Sequence, residues 1–273
     1  MTTTVLEPTT LDAAPAVIRN RVAATRIPLT RIVAVELRKM FDTRAGFWLM
    51  ASIVIASVLA TAALIAFAPD ESLTFENFST AIGAPMTVIL PMIGILAVTS
   101  EWSQRSGLTT FTLIPNRSRV LGAKFIAALI VGIVAMLIAL VVGTLGTLAG
   151  SLITGLDPVW NVTVTEFALI VLGSVLGMLF GFMLGVVIRN SPGAIVSYFV
   201  YTLVLPPLLG VLAVHQQWFA DLQPWVDYGY AQIPLFGGVM TSEHWQQLAV
   251  SGTIWFLIPL AVGLALIRRS EVK

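Results

Sequence analysis

Residues 125–156 read FIAALIVGIVAMLIALVVGTLGTLAGSLITGL, thirty-two consecutive positions between Lys124 and Asp157 without an acidic or basic side chain. A helix needs about 20 apolar residues to cross roughly 30 Å of hydrocarbon, and this stretch exceeds that. In lipid such a run must satisfy its own backbone hydrogen bonds, which a helix does alone; barrel strands would show short alternating segments instead. Five further uncharged stretches lie outward from it, at 45–69, 77–100, 167–188, 190–220 and 244–267. The reading is an all-α integral membrane fold with six transmembrane helices, expected at 46–68, 79–100, 124–151, 166–188, 193–214 and 247–267.

Composition points the same way. Hydrophobic residues fill 57% of the 273 positions and charged residues 11%, against roughly 25% charge in a soluble domain. The fifteen basic residues fall in the first tail (Arg19, Arg21, Arg26, Arg31, Arg38, Lys39, Arg44), the second connection (Arg105, Arg117, Arg119, Lys124), the fourth connection (Arg189) and the last tail (Arg268, Arg269, Lys273). All of these lie on one side of a six-span chain. The other side carries Asp70, Glu71, Glu76, Asp157, Glu166, Asp221, Asp227, Glu243 and both histidines, His215 and His244. The positive-inside rule makes the basic side cytoplasmic, with both termini there. Residues 1–20 lack the basic start and apolar run of a cleavable signal peptide, so the first span is expected to serve as the targeting signal. Without cysteine, a disulfide framework or thiolate metal site is excluded. The excess of Arg over Lys and the abundance of Ala, Val and Leu suggest a GC-rich bacterial genome, and hence a bacterial plasma membrane location.

Residues 1–28, rich in Thr, Ala and Pro, read as a flexible cytoplasmic tail, and 29–273 as a single transmembrane domain. That domain begins with an interfacial amphipathic helix at 29–44. Leu29, Ile32, Val33, Leu37, Met40 and Phe41 recur at helical spacing, while Arg31, Glu36, Arg38, Lys39 and Asp42 fall mainly on the remaining surface. Lys39, Arg38 and Arg44 would then lie near anionic headgroups.

Within the spans, Pro85, Pro91, Pro206, Pro207 and Pro259 remove backbone donors and mark kinks. Gly173, Gly177, Gly181 and Gly185 recur every four residues along one ridge, which allows two helix backbones to meet closely. Between the fifth and sixth spans, Trp218, Phe219, Trp225, Tyr228, Tyr230, Phe236 and Trp245 are too aromatic for a solvated loop. Short interfacial or re-entrant helices are expected there, as an anchoring belt or an outer gate.

Catalytic chemistry has little to work with. The two histidines are far apart, no His or carboxylate pair has metal-ligand spacing, and no histidine falls within a span. Asn161-Val162-Thr163 matches a glycosylation sequon by chance. Ion-coupled transporters place ionisable groups inside the membrane, and here only Tyr198 and Tyr201 lie well within a span. The chain also has no Gly-x-x-x-x-Gly-Lys-[Ser/Thr] phosphate loop. It is therefore not expected to be an enzyme, and energy for transport would come from a second polypeptide.

The second connection carries the most specific pattern: TSEWSQRSGLTTFTLIPNRSR at 99–119, followed by Lys124. It resembles the signature of ABC type-2 transporter permeases, at Glu101, Trp102, Gly107, Thr109, Pro115, Ser118, Arg119 and Lys124. Val35-Glu36-Leu37-Arg38-Lys39 and Thr43-Arg44 are similar to the family's interfacial connecting helix. The resemblance implies an ABC type-2 exporter-like fold in which a second permease copy, making a homodimer or heterodimer, joins two ATPase subunits. ATP and Mg would sit on those partners, and no cofactor on this chain. It also implies that a short helix after the second span docks in an ATPase groove, with Phe111, Leu113 and Ile114 as apolar anchors bordered by Arg105, Arg117 and Arg119.

The first functional expectation is thus an exporter permease, with the lipid bilayer and ATPase as partners and no nucleic acid; a non-transporting scaffold or assembly factor is the alternative. A membrane enzyme is disfavoured by the missing catalytic groups. Spans without buried charge favour a hydrophobic or amphiphilic cargo such as a drug, natural product or lipid.

Overall fold

The computed structural model describes residues 27–103 and 117–269. Every element among them is a helix, and six are long and apolar enough to cross a membrane. The first, α1 (Leu29–Asp42), stops at Thr43, whose extended backbone (φ −90°, ψ 142°) breaks it from α2 (Arg44–Phe67), the first span. Thr43 Oγ1 accepts from Gly46 N–H at 3.0 Å and so starts α2. A side chain at Gly46 would collide with the Met40 carbonyl oxygen, so this glycine lets α1 fold back across the base of α2. The amphipathic helix expected over 29–44 therefore ends two residues early, at a capped break.

Beyond a short turn at Asp70–Ser72 come α3 (Phe75–Ser103), α4 (Arg117–Thr154) and α5 (Val164–Ile188), the second to fourth spans. α3 and α4 run past the expected ends, because a helix has no reason to stop where lipid stops. Gly155, at φ +71°, closes α4. Thr163 and Glu166 open α5 with reciprocal bonds, Thr163 N–H to Glu166 Oε2 at 2.6 Å and Glu166 N–H to Thr163 Oγ1 at 3.2 Å.

The last two spans are not continuous α-helices. The fifth is α6 (Ser191–Phe199), one wide π turn at Val200–Val204, and α7 (Leu205–His215). After α8 (Gln217–Val226) and α9 (Tyr228–Phe236), the sixth comprises α10 (Ser242–Gly252), a second wide turn at Thr253–Leu257, and α11 (Ile258–Arg269). In each turn an N–H reaches back five residues, Leu205 to Val200 O and Ile258 to Thr253 O. Both turns directly precede proline, Pro206-Pro207 or Pro259, whose missing N–H and bulky ring disfavour an ordinary α turn. The kinks expected at these prolines take this form.

α3 and α5 form the spine. Two of the four ridge glycines of α5 lie against α3: a Cβ at Gly181 would collide with the Pro91 carbonyl, and one at Gly185 would come within 3.0 Å of Ile95 O. Gly173 instead receives the Phe236 ring, 2.8 Å from a built Cβ. Gly177 corrects the ridge as read from spacing, because nothing lies within 4 Å of a Cβ there. A four-residue interval drifts around a helix of 3.6 residues per turn, so members of such a row need not share one neighbour. Gly94 of α3 completes the seam, its missing side chain admitting the Met178 carbonyl and Phe182 N–H of α5.

Pro91 leaves the Thr87 carbonyl without its helical donor, and the Tyr198 hydroxyl from α6 donates to it. One apolar core lies where α3 and α5 meet α2, α4 and α11, around Leu90, Ile93, Val98, Met136, Met178 and Phe182. A second joins them to α6, α9 and α10, around Ile95, Phe180, Tyr198, Tyr228 and Leu235. The remaining faces, above all those of α2 and the fifth span, expose apolar side chains such as Leu59, Leu203 and Val211. Lipid is the solvent such faces require.

Candidate functional site at the basic end of the bundle

Three helices converge where the Arg-rich connections gather. Glu36 lies on the line Ile32, Glu36, Met40, one turn apart, and this line faces the bundle rather than the remaining surface expected for Glu36. Ile32 and Glu36 are both buried. The reason is a cation on another helix: Lys124 Nζ of α4 lies 2.6 Å from Glu36 Oε2, and each side chain is only 4% exposed. Lys39, half-buried, places its Nζ 2.8 Å from the other carboxylate oxygen. Lys124 also donates to the Ala97 carbonyl of α3 at 3.2 Å. A carboxylate between two ammonium groups thus ties α1 to α4, and Lys124 ties both to α3. Buried ions are tolerated only when paired and hydrogen-bonded in this way.

Around this cluster the same end is laced together by further hydrogen bonds. Arg119 Nη2 donates to Ile27 O at 2.7 Å, anchoring the chain just before α1. The Ser191 hydroxyl at the start of α6 donates to Thr99 Oγ1 at 2.8 Å, and Thr99 in turn bonds Ile95 O at 2.9 Å. Between α5 and α6 only Arg189 and Asn190 intervene. Arg189 adopts the left-handed backbone (φ 56°) that usually falls to glycine, and its N–H closes α5 on Gly185 O. Asn190 Oδ1 then caps α6 through Gly193 N–H at 2.8 Å.

Of the residues expected to couple to an ATPase, Arg119 and Lys124 are placed in this cluster. Arg105, Gly107, Phe111, Leu113, Ile114 and Pro115 lie outside the described residues, as do the side chains of Glu101, Trp102 and Arg117. Glu36 and Lys39 of the interfacial helix join Lys124. Arg38 instead points to solvent and pairs with Asp42 at 3.5 Å, with 82% and 64% of the two side chains exposed. Arg44, also exposed, opens α2. Sequence reasoning missed Ala97 and Ser191, which carry no motif, and Thr99, which opens the quoted pattern without being one of its matching positions, and it gave Glu36 the wrong face. The i, i+4, i+8 alignment with Ile32 and Met40 was the available signal.

The opposite, acidic end carries the aromatic hairpin α8–α9. Asp227, 9% exposed, caps α9 through Tyr230 N–H at 3.1 Å and accepts from Gln223 Nε2 at 3.2 Å. Burial raises the Tyr228 phenol above its ordinary value. No group of His, Asp and Glu among the described residues is placed to hold a metal ion. The bonds of the basic-end cluster join α1, α3 and α4 to one another. Compared with known proteins, the chain matches no family model and no curated sequence.

Proposed function

We propose that the chain is the permease subunit of an ATP-driven exporter of the ABC type-2 class. In this reading the basic end is cytoplasmic, in a bacterial plasma membrane. Two permease copies work with two ATPase subunits, which bind ATP and Mg, and the cargo is hydrophobic or amphiphilic. The observation that carries the reading is the buried Glu36–Lys124 pair with its bond to Ala97 O. Residues 104–116 connect α3 to α4, and a push on that connection would act on both helices at once. Lys124 joins the two near their connected ends and passes the displacement to α1. Buried ionic groups favour one geometry over its neighbours, which suits a part that moves as a unit.

The mid-membrane chemistry supports an external energy source. Glu36 and Lys124 lie at the basic end, and Glu76, Glu166 and Glu243 near the acidic ends of their helices, leaving the apolar middles without ionisable pairs for ion coupling.

The test is reconstitution in lipid vesicles together with a candidate ABC ATPase subunit. ATP should drive movement of a fluorescent amphiphile across the bilayer. Phe111→Ala with Leu113→Ala removes apolar docking area worth a few kcal/mol at about 25 cal/mol per Å². The bundle should still purify while ATPase co-purification, or substrate-stimulated turnover, is lost. Transport that ignores ATP, or a double variant that couples like the parent, would overturn the proposal.

A further inference from the structure

Besides the apolar seat of Leu235 and Phe236 in the bundle, the acidic-end hairpin is contacted at its elbow, residues 226–229, by aromatic side chains from both wide helical turns. Trp255, in the middle of the turn at Thr253–Leu257, donates its indole N–H to Val226 O at 2.6 Å. Tyr201, in the turn at Val200–Val204, stacks on Phe180 with ring centroids 4.3 Å apart. Its hydroxyl oxygen, with Asp227 Oδ1, lies 3.4 Å from where a Gly229 Cβ would be. Tyr228, 2% exposed, also packs on Phe180, with ring centroids 5.7 Å apart, and lies 3.3 Å from where a Cβ of Gly252, the residue before the second wide turn, would be.

The two turns are built alike. Each holds a threonine bonding back four residues, Thr202 to Tyr198 O at 3.0 Å and Thr253 to Ala249 O at 2.7 Å. Each carries one of the gripping aromatics and is followed by proline. Threonine back-bonding bends helices, and proline denies the following turn its α hydrogen bond. A wide turn holds one residue more than an α turn, so closing it to α register rotates what lies beyond by roughly 100°.

We propose that residues 226–229 are the pivot of a lid formed by α8 and α9, and that it is released when a wide turn tightens to α register. Tightening at Thr253–Leu257 swings the Trp255 indole off Val226 O and removes that tie between the elbow and the sixth span. Tightening at Val200–Val204 withdraws the Tyr201 ring from Phe180 and its hydroxyl from beside Gly229. Both spans that flank the hairpin can therefore open it, and the prolines hold it shut at rest. What passes beneath the lid rests on the permease reading; the pivot does not.

The full chain in lipid nanodiscs, without any ATPase, is enough to test it by hydrogen–deuterium exchange. Trp255→Phe keeps the ring and removes the donor, and amide exchange across 217–236 should rise about fivefold, the population change that one lost hydrogen bond represents. Pro259→Ala supplies the missing N–H, favours the α register and should raise exchange in the same segment. It also improves helix formation, so it keeps the test decisive if Trp255→Phe lowers yield. Trp218→Phe, on the same hairpin but 62% exposed, should change nothing. Parental exchange in Trp255→Phe or in Pro259→Ala overturns the proposal. So does an equal rise in Trp218→Phe, or a rise that spreads through α3 and α5, since the contact would then hold the bundle rather than a lid.

Discussion

Removing one member of the Glu36–Lys124 pair should destabilise the bundle far more than removing both. At 2.6 Å and an effective dielectric of about 20, the attraction is about 6 kcal/mol. Bringing both ions out of water costs several kcal/mol each, so the intact pair stabilises little beyond what two well-packed apolar side chains would. A single substitution forfeits the attraction and leaves the other ion buried. Glu36→Met is therefore expected to cost about 3–5 kcal/mol. Lys124→Met should cost less, because Glu36 keeps its 2.8 Å contact with the half-exposed Lys39. Glu36→Met with Lys124→Met should recover most of the loss, with a coupling energy of about 2–3 kcal/mol. Arg38→Ala breaks an ion pair that is 82% and 64% exposed and should change stability by less than about 0.5 kcal/mol. The assay is unfolding by SDS in mixed micelles, followed by tryptophan fluorescence. Strictly additive losses in the double variant, or a Glu36→Met protein as stable as the parent, would refute the reasoning.

Gly181→Ala drives a methyl into the Pro91 backbone and should cost about 1–3 kcal/mol, whereas Gly177→Ala meets open space and should be neutral or gain up to about 1 kcal/mol of helix propensity; the same unfolding assay separates them. Tyr198→Phe leaves the Thr87 carbonyl without its donor and should cost about 1–3 kcal/mol; an unchanged unfolding midpoint would mean that water or a neighbour repairs the kink. For orientation, single cysteines at Ser72, Thr163 and Ser242 should react with an impermeant thiol reagent in intact cells, and those at Ser103 and Ser270 should not. The chain has no cysteine of its own, and labelling of Ser103→Cys from outside would invert the proposed topology.

The spans are legible in the sequence because charge is so costly in hydrocarbon that its absence alone marks them. Their ends are not, since Glu76 lies inside the first turn of α3 and Thr154 at the end of α4, both beyond the expected spans, and α4 closes only at the positive-φ Gly155. The prolines announce irregularity, but whether a kink or a wide turn results depends on which neighbour supplies the missing bond. Thr87 has Tyr198 to repair it from another helix. Glu36 shows the deeper limit. Its polarity puts it outside, its spacing puts it inside, and only Lys124, 88 positions away, decides between them. For Gly177 the spacing was right and the neighbour was missing.

Along the seam between α3 and α5, Gly94 admits the backbone of Met178 and Phe182 and Gly181 that of Pro91, and this contact can change in only one direction. Any other residue at either position adds volume, so substitution can pry the seam apart but never tighten it. No rotamer can swing aside to absorb the error, because the atoms in contact belong to the main chain. The pair therefore behaves as a stiff keel with little freedom to drift, against which the lightly packed first, fifth and sixth spans are free to vary and to move.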